Sequence, residues 1–130
     1  MITQVTLDNV TYNIPQASAV EQKRLLLILG GKVALNSSAS RTEQINTTHL
    51  VGTLMTLPDQ TFDDVVKIVL SRVRVHGDEA PVTVDSFQGR MAHFVRLIAE
   101  CVQVNLSDFF GWLDDVNADT RQQTTGMKKS

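Results

Sequence analysis

The chain has a single cysteine in 130 residues, Cys101, so it has no internal disulfide and depends on its core for stability. A lone thiol fits a reducing compartment, and a cytoplasmic location is expected. No stretch approaches the ~18 consecutive apolar residues of a membrane span. Met1-Ile-Thr-Gln lacks the basic region and apolar run of a signal peptide, so a membrane role is not expected. Basic excess is missing as well. With 12 basic and 14 acidic residues the net charge is −2, which argues against nucleic acid, because phosphate binding needs a positive surface. Charge of either sign is rare between Val33 and Pro58, where only Arg41 and Glu43 carry it. That Ser-, Thr- and Asn-rich stretch suits a mobile loop or a surface that meets another protein. Aromatics make up only 5%, yet five of the seven lie between Phe87 and Trp112, which places the heavy end of the core, or a partner surface, there.

Catalytic patterns are lacking too. Gly30-Gly31-Lys32 is no phosphate loop, because the Gly-x-x-x-x-Gly-Lys-Ser/Thr pattern is missing and the glycines follow a helix. His49, His76 and His93 come from three elements at no metal-ligand spacing and read as exposed helix or loop residues. His76-Gly-Asp-Glu79 is polar but reads as an ordinary turn. The pairs Asp63-Asp64 and Asp114-Asp115 are adjacent, so on a helix they diverge by about 100° and cannot share a substrate. Cys101, beside Val102, reads as a buried structural thiol. No catalytic residue, metal or cofactor is assigned, and an enzyme is not expected.

What the chain does contain is periodicity. Val5 and Leu7 alternate with Gln4 and Thr6, Asp8-Asn9 supplies a turn, and Val10, Tyr12 and Ile14 alternate on the way back. This predicts a β-hairpin over 2–14 resting on the helix that follows. Ser18-Ala-Val-Glu21 is a capping box opening a helix over about 18–30, stopped by Gly30-Gly31. Lys32 to Leu35 fits a short extended piece and Asn36 to Ser40 a small-residue loop, with strand and loop both open over 32–40. Ser40-Arg-Thr-Glu43 is a second capping box for a weaker helix over 41–57. A third helix over 61–75 has Thr61 as cap, Asp63 and Asp64 in its first turn, and Arg72 and Arg74 in its last. Val82 to Val84 reads as extended. A fourth helix over 86–104, capped near Asp85 or Ser86, carries Phe87, Met91, Phe94, Val95, Ile98 and Val102 on one stripe. Arg90, His93, Arg96 and Glu100 fall off that stripe. A short fifth helix spans 107–116, and 117–130 reads as a flexible tail. The fold class is α+β, mainly α: one globular domain over 1–116, with a hairpin packed on a bundle of four to five helices.

Two features exceed what a core alone requires. Leu25, Leu26, Leu27, Ile28 and Leu29 are apolar all round the helix, so that helix is central or meets another subunit. Phe109, Phe110 and Trp112 crowd a short terminal helix and cannot all face one core; such aromatics are enriched at interfaces. Together they point to a protein that works by binding proteins, itself included.

The opening Val5-Thr-Leu-Asp-Asn-Val-Thr-Tyr-Asn-Ile-Pro15 followed by a Leu-rich helix resembles the tail assembly chaperones of long-tailed bacteriophages. The segments Phe94 to Val102 and Phe109 to Leu113 are similar in character to the aromatic closing helix of that family. The resemblance spans Ile2 to about Val116. It implies a protein that binds the tape-measure protein, and the major tail tube protein as a further partner, in the bacterial host cytoplasm during tube assembly. It also implies the short product of a −1 ribosomal frameshift, with Lys128 and Lys129 as the codons where slippage occurs. The rival readings are a small structural tail or head-tail joining protein, and a small helical regulatory binding protein.

Overall fold

The computed structural model describes the backbone of residues 2–39 and 47–129 and the side chains of 2–33 and 47–116. The hairpin forms where alternation places it. Strands β1 (Ile2–Leu7) and β2 (Val10–Pro15) pair antiparallel in an unbroken register, from Ile2 opposite Pro15 to Leu7 opposite Val10. Asp8 and Asn9 reverse the chain with φ of 49° and 69°, the doubly left-handed turn that suits the twist of two strands. Leu7, Tyr12 and Ile14 point into the core.

Helix α1 (Ala19–Ala39) starts as read: Ser18 Oγ accepts the Glu21 N–H at 3.2 Å and donates to Glu21 Oε1 at 3.1 Å. Its end is a correction. The helix passes through Gly30 and Gly31, and Lys32 to Leu35 and 36–39 are helical instead of extended or looped. Neither glycine has positive φ. A Cβ on Gly30 would stand 3.0 Å from Leu26 Cδ1 and 3.6 Å from the Phe109 ring. Glycine is there for close helix approach, not as a stop.

The expected cap Ser40 to Glu43, and the chain up to Asn46, lie outside the described residues. Helix α2 (Thr47–Leu54) ends sooner than the expected 57, in two tightened turns: Thr56 donates to the Thr53 carbonyl and Leu57 to that of Leu54. Helix α3 (Asp59–Leu70) begins two residues ahead of Thr61, because the Pro58 carbonyl already accepts the Phe62 N–H at 2.9 Å. Asp59, not Asp63 or Asp64, therefore stands in the first turn. Arg72 and Arg74 fall beyond the end, and the expected helix to 75 gives way to strand β3 (Arg74–Val75). Here pairing outweighs helical period: Val75 lies opposite Tyr12, Arg74 opposite Asn13, and the His76 N–H reaches the Thr11 carbonyl at 2.8 Å. The hairpin thus becomes a three-stranded sheet in the order β1-β2-β3.

A 3-10 helix (Val84–Phe87) is capped by Thr83 and Ser86 acting reciprocally, so Val84 and Phe87 leave their expected places in an extended piece and the long helix. Gly89, at φ +78°, separates it from helix α4 (Met91–Lys129). The helices expected over 86–104 and 107–116 meet at a kink at Leu106, whose φ −121° and ψ 20° are not helical, and together they make up α4. Asn105 accounts for the bend. Its Nδ2 donates at 2.9 Å to the Cys101 carbonyl, the acceptor its own backbone N–H would use in a helix. The helical backbone continues through the polar stretch after Val116, where Lys128 lies, to Lys129. Among the described residues the last core side chain is Leu113.

The hairpin makes its main helix contact with α4, through β1. Leu25, Leu29 and Val33 of α1, Leu50 and Leu54 of α2, Val65 and Val69 of α3, and Leu97, Ile98 and Val102 of α4 fill the centre.

Candidate functional site

The apolar run of α1 divides around the helix as a period of 3.6 requires. Leu25 and Leu29 are buried, Leu26 and Ile28 are half-buried at the rim, and Leu27 is 77% exposed. After the bend, α4 divides its aromatics in the same manner: Phe110 is buried, Phe109 half-buried and Trp112 58% exposed. The rims of these two helices meet. Ala19, Gln22, Lys23 and Leu26 form one wall of a groove of about 420 Å³, and Asn105, Asp108, Phe109 and Trp112 form the other. The structure therefore brings together Leu26, Phe109 and Trp112 from the residues singled out in the sequence. It commits Leu25, Leu29 and Phe110 to the core and leaves Leu27 on the outer face of α1.

The groove is held open by packing and by one polar staple. Phe109 lies 5.8 Å from Trp112 and 5.9 Å from Phe110 between ring centroids, so the three rings support one another. Asn105, buried at the bend, accepts the Ala17 N–H at 2.8 Å and the Gln22 amide at 3.3 Å on the same Oδ1. This fastens the start of α1 to α4. Sequence reasoning gave Asn105 no partner; an asparagine between two apolar helical stripes was the available signal.

A second cluster also escaped the sequence reading. His93, expected to be exposed, is buried at 5% exposure because the hairpin covers it. Its Nε2 meets the Tyr12 hydroxyl at 2.6 Å, and its Nδ1 meets Asp8 Oδ2 at 2.9 Å. Arg96 donates to both Asp8 oxygens at 3.3 and 3.2 Å. The hydrogen bond from His93, then that from Arg96, hold the Asp8 carboxyl below its ordinary range. An ionised carboxylate only accepts, so Nδ1 carries a proton and, in the neutral ring, Nε2 accepts from Tyr12. Burial pushes the Tyr12 hydroxyl up. The arrangement orients a histidine between a tyrosine and an aspartate, but all of it fixes the hairpin tip to α4. Cys101 is fully buried, as read, and burial pushes its thiol up to about 12, which leaves it inert at neutral pH. Among the described residues no group of His, Cys, Asp and Glu is placed to hold a metal, and no helix is long and apolar enough to cross a membrane.

Comparison with known proteins bears on what such a groove is for. No curated protein and no solved structure matches the chain. One family model does, that of the phage tail assembly chaperone protein, TAC, over residues 8–118. The match runs from the turn of the hairpin past the exposed tryptophan and takes in both walls of the groove. The chain belongs to the phage tail assembly chaperone family.

Proposed function

We propose that the chain binds the tape-measure protein during tail assembly by seating an amphipathic helix of that partner between α1 and α4. One observation carries this reading: Leu26, Phe109 and Trp112 converge on one groove from opposite helices, with Trp112 largely exposed. A groove of about 420 Å³ takes a few side chains of a helix, which is how apolar i, i+3, i+4 anchors are recognised. Val20 and Leu27, both exposed and seven residues apart on α1, extend the apolar surface along that helix. Occupying it would shield apolar helices of the partner from aggregation until the tube is built around them. The same surface would then pass its cargo to the growing tube, in the host cytoplasm.

The test is co-expression with the tape-measure protein. The partner is expected to move from the insoluble to the soluble fraction, and Trp112→Ala is expected to reverse much of that gain. An exposed anchor of this kind contributes about 2 kcal/mol or more of binding, while its loss leaves the core of the chaperone intact. Unchanged solubility of the tape-measure protein on co-expression would rule the reading out.

A further inference from the structure

We infer that β1 is an association edge, along which two copies of this chain pair antiparallel and join their sheets into one of six strands. The inference stands apart from the groove and draws on different residues. In the order β1-β2-β3 one long side of β1 has no neighbouring strand among the described residues. Leu7 and Val10 flank a two-residue turn, which makes Leu7, Val5 and Thr3 the residues that exchange hydrogen bonds with Val10, Tyr12 and Ile14. The backbone N–H and C=O groups of Ile2, Gln4 and Thr6 therefore point away from β2. Pro15, which has no N–H to give, stands opposite Ile2, as this alternation requires. Among the described residues no backbone hydrogen bond from another element reaches those outward groups.

Proteins ordinarily blunt such an edge with charge, proline or a bulge. Ile2-Thr-Gln-Val-Thr-Leu7 has no charge and no proline, and its register with β2 is unbroken. The core face thins along this strand away from the turn: Leu7 is buried, whereas Thr3 and Val5 are only half-buried opposite the buried Ile14 and Tyr12. A strand added outside β1 would continue that face.

The occupant that fits is a second copy, because the outward set is complementary to itself. With a two-fold axis at Gln4, Gln4 lies opposite Gln4 of the partner subunit and Ile2 lies opposite Thr6 of the partner subunit. Every outward donor and acceptor of Ile2, Gln4 and Thr6 then finds a partner, both core faces stay on one side, and no charges meet across the axis. A dimer built this way carries two α1–α4 grooves, so one assembly can hold two helical segments of a long partner and gain from the linkage.

Sedimentation equilibrium of the full chain tests this. The wild type is expected to sediment as a dimer, and Gln4→Lys and Gln4→Glu each as a folded monomer with the circular dichroism spectrum of the wild type. An equimolar mixture of the two variants is expected to return to the dimer mass, because opposite charges then meet at the axis. Hydrogen exchange on the unmodified protein gives a second readout, with the Gln4 and Thr6 amides protected at high concentration and exposed on dilution. A monomeric wild type, a dimeric single-charge variant, a mixture that stays monomeric, or amides indifferent to dilution would each overturn the inference.

Discussion

Asp8, Tyr12 and His93 show how far a side chain's role can depend on residues distant in the chain. Asp8-Asn9 is legible as a turn because both residues tolerate positive φ. That the Asp8 carboxylate also receives His93 and Arg96 is not legible, because those partners lie 85 and 88 positions away. His93 reads as exposed for the same reason: its own helix does not bury it, the hairpin does. Two outcomes follow at this scale. The Asp8 pKa is lowered on folding, so its contribution to stability is fully present above the unfolded value near 3.8 and is lost as pH falls through the lower folded value. Asp8→Asn keeps the turn conformation, so its melting temperature should fall below the wild type's at neutral pH, and the gap should close in acid. Tyr12→Phe leaves His93 Nε2 buried without a partner and should cost about 1–3 kcal/mol in urea unfolding, with an unchanged slope.

The helix that opens at Ser18 is legible from its capping box and apolar run, but its length is not. Two glycines in a row resemble a stop, and only the approach of Phe109 reveals why one of them is there. A Cβ added at Gly31 would meet no atom within 4 Å, and the backbone at that position is not left-handed. Gly31→Ala should therefore stabilise the protein by roughly 0.5–1 kcal/mol through helix propensity and a less flexible unfolded chain. A helix ending at Gly31 would predict no such gain. Gly89→Ala should act in the opposite direction, by about 1–2 kcal/mol, because φ at that position is +78°. Thermal unfolding of the two variants side by side checks both signs. The bend at Leu106 is half legible: the Asn105-Leu-Ser107 interruption places a break between two helices at the right point. What the sequence does not show is that the Asn105 side chain ties back to the Cys101 carbonyl at that break.

At the scale of the molecule, the class is readable and the docking of its parts is not. Alternation and helical period specify a hairpin and apolar helices. Periodicity gives each element a face but no partner, so the sequence sets the hairpin on the nearest helix, α1, whereas its main helix contact is with α4. The same limit applies to the groove. Leu26 and Trp112 each stand out in the sequence, yet their convergence depends on how α1 packs beside the part of α4 that follows the kink. Because the core side chains of the described residues end at Leu113, removing residues 120–130 should leave the melting temperature unchanged. A drop of several degrees would show that this stretch packs on the domain.

Trp112 is the chain's single tryptophan and lies in the groove, so the protein carries its own reporter. The most direct measurement is its fluorescence during titration with a tape-measure segment that contains no tryptophan. Helix-in-groove binding predicts a saturable blue shift of the emission, weakened by Leu26→Lys. Saturable binding of the segment, with emission that stays at its solvent-exposed position, would contradict it.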